Sequence, residues 1–334
     1  MAWPDRRMPA MQVEAIEKEA GGSVSAQFGL NTPFQTTLHH PITCSGIGLH
    51  TGAPVRLRLV PAAPDAGIVF SRTDIQGQDT RVPASHDRVT ETTLGTTIAN
   101  GAGVSVATVE HLMAALAGCG IDNLLIEIDG PEVPIMDGSA GPFVFLIECA
   151  GLRISERPRR YLRILETVAI EDGLKRAELA PGQGFSASFD INFDSAPIGR
   201  QSYGFDLNSA SFKTELCRAR TFGFLKDVDQ LRALGLARGG SLENAIVIDD
   251  GQVLNETGLR YPDEFVRHKL LDGIGDLSLC GAQIRGRFSA SRSGHALNNA
   301  LLHAVFAKRS AWRWDYGTPD EDIAAESLND PVPA

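Results

Sequence analysis

Eight histidines, at positions 39, 40, 50, 86, 111, 268, 295 and 303, are the side chains of this 334-residue sequence best suited to metal or proton chemistry. A lone histidine is usually structural, so each needs a partner. In RHKLLDGIGD, His268 and Asp272 stand at i and i+4 on one helical face, where an imidazole nitrogen and a carboxylate oxygen can chelate one zinc ion. Taken alone, H-x-x-x-D is more often an ordinary surface pair than a site. Asp276 continues the same face and offers a further acidic group to orient a ligand or hold another histidine. Glu110 and His111 are neighbours, which on a helix diverge by about 100° and cannot both point straight at one ion. They can divide the work, with His111 as ligand and Glu110 as the base that takes a proton from a metal-activated water. The order and spacing are not those of the H-E-x-x-H zincins, and without a third ligand a solvated glutamate beside a core histidine is the better reading. His295, after Ser-Gly in SRSGHALNN, sits near a helix start. Close to a carboxylate such as Asp276 it can stay protonated and serve a leaving group, or it can be a helix-entry residue with no chemistry. Thr221 in RARTFGF could donate to a developing oxyanion or simply pack, and Phe222 and Phe224 either line an apolar channel or belong to the core.

These residues need a scaffold of ordinary soluble composition, and 43% hydrophobic with 22% charged residues is that composition. Length alone suggests about two domains. With 31 basic against 41 acidic residues the net charge is −10, which makes nucleic acid and anionic membrane poor bulk partners and leaves phosphorylated small molecules open. Five cysteines without a C-x-x-C pair argue against a disulfide framework and a cysteine zinc site, so a reducing cytosol is expected. No run of 18 apolar residues offers a membrane span, and no secretory signal is expected at the N-terminus.

Residues 1–34 read as a loose extension. VRLRLV (55–60) alternates like a half-buried strand, GIVF (67–70) follows a turn, residues 106–120 have helical spacing with a glycine stop, and NLLIEIDG (123–130) is a strand before a loop and second helix. SERPRR (155–160) is polar and contains a proline, which suggests a boundary. The second half repeats the order: strands in YLRILETVAI, KRAELAP and GFSASFDINF, a helix start in SFKTELC, the strand AIVIDD, the helix EFVRHKLLDGIGDLSLCG, the strand IRGRFSA and the helix HALNNALLHAVFAKRSAW. Val109-Glu110-His111 with Gly118 matches Val266-Arg267-His268 with Gly275 at an offset of 157 residues. On spacing alone, chance recurrence and a duplicated α+β unit weigh evenly.

The segments GIGLHTG (46–52), TVEHLMAALAGCGIDNLLIEIDGPEVPIMDGSAGPFV (108–144), RARTFGF, AIVIDD with VLNETGLR, DEFVRHKLLDGIGDL and SGHALNN, in that order, resemble the UDP-3-O-acyl-N-acetylglucosamine deacetylases of lipid A synthesis over about Thr36 to Trp314. The resemblance implies a zinc-dependent amidase, with His111, His268 and Asp272 as ligands and Glu110 as general base. It makes His295 the protonated partner of the leaving amine, oriented by Asp276, and has Thr221 polarise the carbonyl. Lys269 would lie near the substrate's polar end, and Phe193 and Lys175 would match positions associated with uridine diphosphate. It also implies two similar two-layer α+β domains, each a sheet with two helices, packed helices inward with the site at their interface. The expected map is an extension over 1–34, domains over 35–157 and 158–315, an acyl-passage insertion over about 222–259, and an acidic tail over 316–334.

The first 35 or so residues exceed what the family usually carries, and two further departures from its pattern stand out. Arg292 occupies a place where lysine is common, which keeps the charge but changes the donor geometry toward a diphosphate. Gly95 stands where some members carry a cysteine near the metal. The resemblance implies one zinc ion per chain, with iron also accepted by such an N/O site. It implies a UDP-linked acylated amino sugar as partner, in a monomeric cytoplasmic enzyme with no stable membrane insertion. Two other readings are a zinc amidase on another nucleotide-linked acyl substrate and a catalytically silent UDP-sugar or acyl-chain binder.

Overall fold

The computed structural model of the chain describes Leu30 and residues 32–316, so most of the expected N-terminal extension and C-terminal tail lies outside the described residues. The first half forms β1 (Phe34–Leu38), β2 (Ile42–Ile47), β3 (Pro54–Pro61), β4 (Ile68–Arg72), β5 (Arg81–Pro83), β6 (Val89–Glu91), β7 (Thr97–Ala99) and β8 (Ser105–Val106). Helix α1 (Glu110–Cys119), β9 (Leu124–Ile128), α2 (Gly141–Ala150) and β10 (Leu152–Pro158) follow. The alternation in VRLRLV is realised in β3, where Val55, Leu57 and Leu59 are buried and Arg56 and Arg58 exposed, as a sheet with one wet face requires. The main sheet runs β2-β3-β9-β4-β5, with β9 antiparallel to β3 and parallel to β4.

The second half forms β11 (Tyr161–Ile164), β12 (Val168–Asp172), β13 (Lys175–Ala180), β14 (Phe185–Asn192), β15 (Arg200–Asp206), a single turn α3 (Ser209–Ser211), β16 (Phe222–Phe224) and α4 (Leu225–Ala233). It continues with β17 (Ile246–Asp249), β18 (Gln252–Val253), α5 (Glu264–Ser278), β19 (Gln283–Ser291), α6 (His295–Ala307) and β20 (Trp312–Asp315). Strand β19 is central, antiparallel to β13 and parallel to β14 and β11. No described sheet joins a strand before residue 158 to one after it.

Between the sheets the helices meet. All of α1 except Ala117 is buried, the pattern of a helix covered on every side, and Gly120 in the left-handed conformation ends it. Helix α1 packs on α5, with α2 beside α1 and α6 between α5 and strands β12 and β13. This is the α+β, helices-inward arrangement that the resemblance implies, although each half carries more than one sheet. The repeat noticed in the sequence lies at this contact. A Cβ on Gly118 would run into the Phe212 ring and one on Gly275 into the Glu110 carbonyl oxygen, so each matched glycine marks where the other half comes too close for a methyl group.

The first four residues of SERPRR lie within β10, which pairs with β1 through Leu152 to Leu38 and Ile154 to Thr36, so the first half runs as a paired strand up to Pro158. The β10 side chains are mostly exposed, so the composition resembles a loop while the backbone pairing makes a strand. Arg159, which follows, is fully buried and pairs with Asp122 at 2.8 Å.

Candidate active site at the helix crossing

Helix α5 carries Glu264, His268, Asp272 and Asp276 at every fourth position, all buried, which lays a buried polar stripe along one face of the helix. Each member has a partner. Glu264 receives the Arg220 guanidinium at 2.8 and 3.0 Å, which fixes the backbone around Ala219. The Ala219 carbonyl lies 3.1 Å from His268 Nδ1, and because a carbonyl only accepts, Nδ1 carries the hydrogen and Nε2 is left with a lone pair. His111 Nε2 from α1 and His268 Nε2 converge on Asp272 Oδ1 at 3.5 and 3.4 Å. That oxygen is buried without a hydrogen-bond partner, and ligand atoms of the three residues lie within 4.8 Å of one another. Two imidazole nitrogens and an unpartnered carboxylate oxygen fit a divalent metal with one position left for chemistry.

Electrostatics agree with the roles of ligands. Burial pushes His268 down to about 4, so it is neutral at physiological pH. Burial also works against charge on Asp272, but His268, Lys269 and His111 hold its carboxyl well below the usual range. Burial likewise opposes a charged His111, yet Asp272 raises it overall, so a metal at this residue would compete with a proton. Lys269 donates to Asp272 Oδ2 at 2.9 Å. It therefore sits against the candidate metal group, next in sequence to His268.

Glu110 opens α1, with Thr108 at φ 56° turning the chain just before it. It is buried, and that burial raises its pKa. Its Oε2 accepts the Thr96 backbone N–H at 2.9 Å. His295 is the first residue of α6, and its Nδ1 donates to Asp276 Oδ2 at 2.9 Å. Burial by itself would push His295 down, but the Asp276 carboxylate outweighs it and holds the imidazole at about 9. Asp276 also accepts from Thr96 Oγ1 at 2.7 Å and Asn298 Nδ2 at 2.8 Å. Sequence reasoning missed Thr96 and Asn298, and the only local signal for Asn298 was its position one turn after His295 in SGHALNN.

The remaining expected residues divide between two places. Lys175 and Arg292 line, together with His295, Thr92 and Ser293, a cavity of about 350 Å³. Phe193, Phe222 and Phe224 instead form an aromatic wall, with ring centroids 5.7 Å apart for Phe193–Phe222 and 6.4 Å for Phe193–Phe224, and Phe222 lies 6.3 Å from the His268 ring. Thr221 enters this wall directly after Arg220, its backbone N–H bonded to the Gly138 carbonyl at 2.8 Å.

The family model described as LpxC, UDP-3-O-acyl N-acetylglycosamine deacetylase, matches residues 35–307. The chain belongs to this deacetylase family. A relative from Phenylobacterium zucineum, named UDP-3-O-acyl-N-acetylglucosamine deacetylase, is 54% identical over 291 residues, covering 87% of this chain and 99% of its own length. Relatives of the same name from Shewanella frigidimarina and Shewanella baltica are 50% and 49% identical over 281 residues, each covering 84% of this chain and 92% of the relative. The matched span takes in every one of the family-type site residues described above, from Glu110 to His295. No helix among the described residues is long and apolar enough to cross a membrane.

Proposed function

We propose that this deacetylase hydrolyses the acetamide of UDP-3-O-acyl-N-acetylglucosamine to UDP-3-O-acyl-glucosamine and acetate, the committed step of lipid A biosynthesis. The observation that carries the reading is the convergence of His111, His268 and Asp272, with Glu110 beside them and a His295–Asp276 pair in the same polar cluster. His111, His268 and Asp272 would hold one zinc ion, or iron in its place. When bound, the ion supplies a Lewis acid for the acetamide carbonyl and lowers the pKa of water.

The chain's own groups move the protons. Glu110, poised by burial, takes a proton from the attacking water through the carboxylate oxygen that Thr96 does not hold. Thr221 donates toward the carbonyl oxygen as it gains charge. His295 gives its proton to the glucosamine nitrogen as the C–N bond breaks, and Asp276 keeps that proton in place beforehand. Lys175 and Arg292 flank the diphosphate beside His295. The wall of Phe193, Phe222 and Phe224, continued by residues 222–259, takes the nucleotide and acyl portions of the substrate. Lys269 completes the pocket through its hold on Asp272.

The halves 35–157 and 158–315 act as two units of one chain, and since one chain supplies the whole cluster we propose a monomer. The nucleotide-linked substrate and five free cysteines support a cytoplasmic site of action. A silent binder on this fold would lack one of these residues, and His111, His268, Asp272 and Glu110 are all present in the sequence, which favours the enzyme. The test is acetate release from the UDP-linked, 3-O-acylated substrate by purified protein carrying about one zinc per chain. Glu110→Ala should keep the metal and lose 10²- to 10⁴-fold in rate, roughly the worth of general base catalysis. Full activity in that variant removes Glu110 from its role, and no release by the wild type refutes the reading.

A further inference from the structure

The base and the acid of this site come from different halves, Glu110 from α1 and His295 from α6, so no local structure sets the spacing between them. One residue touches both systems. Thr96 precedes β7, and its backbone is tied to the start of α1 twice: its N–H donates to Glu110 Oε2 at 2.9 Å, and its carbonyl accepts the Val109 N–H at 3.2 Å. Its hydroxyl alone crosses to the other half, donating to Asp276 Oδ1 at 2.7 Å over a separation of 180 residues. Thr96, Glu110 and Asp276 are all buried, so water is not at hand to replace any of these bonds.

The other Asp276 oxygen is held from the far side. Oδ2 accepts from His295 Nδ1 at 2.9 Å and Asn298 Nδ2 at 2.8 Å, and Asn298 is itself fixed by Ser293 Oγ on its Oδ1 at 2.8 Å. With donors on both oxygens the carboxylate cannot rotate, and the imidazole that it holds cannot turn. Without the Thr96 hydroxyl every remaining donor sits on Oδ2, and the carboxylate can swing about its own axis and carry the ring with it.

We propose that Thr96 is a positioning residue that sets the distance and angle between Glu110 and His295 across the junction of the two halves, with Asn298 as the opposing stay on Asp276. The inference rests on the reading above, in which Glu110 is the base and His295 the acid. Proton transfer at both ends of one hydrolysis needs both groups placed within a fraction of an ångström, and residues that hold such groups are typically worth about 10- to 100-fold in rate.

The test uses the full zinc-loaded chain with Thr96→Val, which keeps the shape and backbone bonds and deletes the hydroxyl, and Thr96→Ser, which restores it. The expected result is a 10- to 100-fold lower kcat for Thr96→Val with KM within about twofold and zinc content unchanged, and recovery to within about threefold of wild type in Thr96→Ser. His295, which faces Asp276, Glu110, Lys269, Asp272 and His111, should titrate at higher pH by NMR in Thr96→Val, because the charge withdrawn from Oδ1 collects on Oδ2. A Thr96→Val kcat within about threefold of wild type, a loss confined to KM, or equal losses in the valine and serine variants would each overturn the proposal. If valine is not accommodated, Thr96→Ala removes the hydroxyl without adding bulk and carries the same expectation; loss of fold or zinc in both means a structural hydroxyl and overturns it too. Wild type and Glu110→Ala run alongside. An inactive wild type refutes the reading of the site, whereas an active wild type with indifferent Thr96 variants refutes only the role of Thr96.

Discussion

Asp276→Asn is the most informative single change, because it leaves the shape of the site nearly intact and removes one negative charge. In the native protein the Asp276 carboxylate lies 2.9 Å from His295 Nδ1 and holds that imidazole at about 9, against the 6.5 of an unperturbed histidine. The difference is about 3 kcal/mol of preference for the protonated ring. Without the anion, burial is the main influence left, and it favours the neutral ring, so the pKa should fall to 6.5 or below. At pH 8 a group with a pKa of about 9 is roughly nine-tenths protonated, while one at 6.5 is about 3% protonated, a loss of about 30-fold in the competent form. A bound dication beside the ring lowers both values, so the comparison is made at equal zinc content. The assay is kcat for acetate release from roughly pH 6 to pH 10. The high-pH limb should move toward acid by about 2.5 pH units or more, with partial recovery near pH 6. The same linkage acts on stability: the raised pKa of His295 stabilises the fold fully below about 6.5, and this contribution is lost as pH rises through about 9. A variant whose limb stays with that of wild type, or whose rate falls by one factor at every pH, would show that Asp276 does not keep the proton on His295.

Three further outcomes follow from the geometry. Asp272→Ala should lose zinc and with it activity, while chelator treatment of the wild type should be reversed by adding zinc; retention of one zinc per chain by the variant, read by metal analysis, would exclude Asp272 as a ligand. Gly275→Ala forces a methyl into the Glu110 carbonyl and should cost about 1–3 kcal/mol in denaturant unfolding as α1 and α5 are pushed apart, with weaker zinc binding; an unchanged midpoint and zinc affinity would mean that the helices are not in this contact. Arg292 has φ 52°, a conformation that glycine adopts freely, so Arg292→Gly removes the charge without straining the loop. It should raise KM for the UDP-linked substrate about tenfold or more at low salt with little change in kcat, and an unaltered KM would place the diphosphate elsewhere.

Local spacing in the sequence makes His268 and Asp272, one turn apart on a single helix, and the neighbours Glu110 and His111 candidates without deciding for them, and the ordered family segments are what single them out. The α+β class, the alternation of β3 and the glycine stop of α1 are visible because they depend on residues a few positions away. The tertiary structure alone decides which candidates meet. It brings His111 to His268, sets Asp276 against His295 and not against a ligand, ties Lys269 to Asp272, and gathers Phe193 with Phe222 and Phe224. It turns the polar stretch ahead of Pro158 into a strand, because backbone pairing with β1 leaves no trace in side chains that face water. Thr96 is invisible in the sequence for the plainest reason. A threonine ahead of a short strand has no pattern of its own, and its meaning comes from a carboxylate 180 residues away that only the packing of the two halves brings within 2.7 Å.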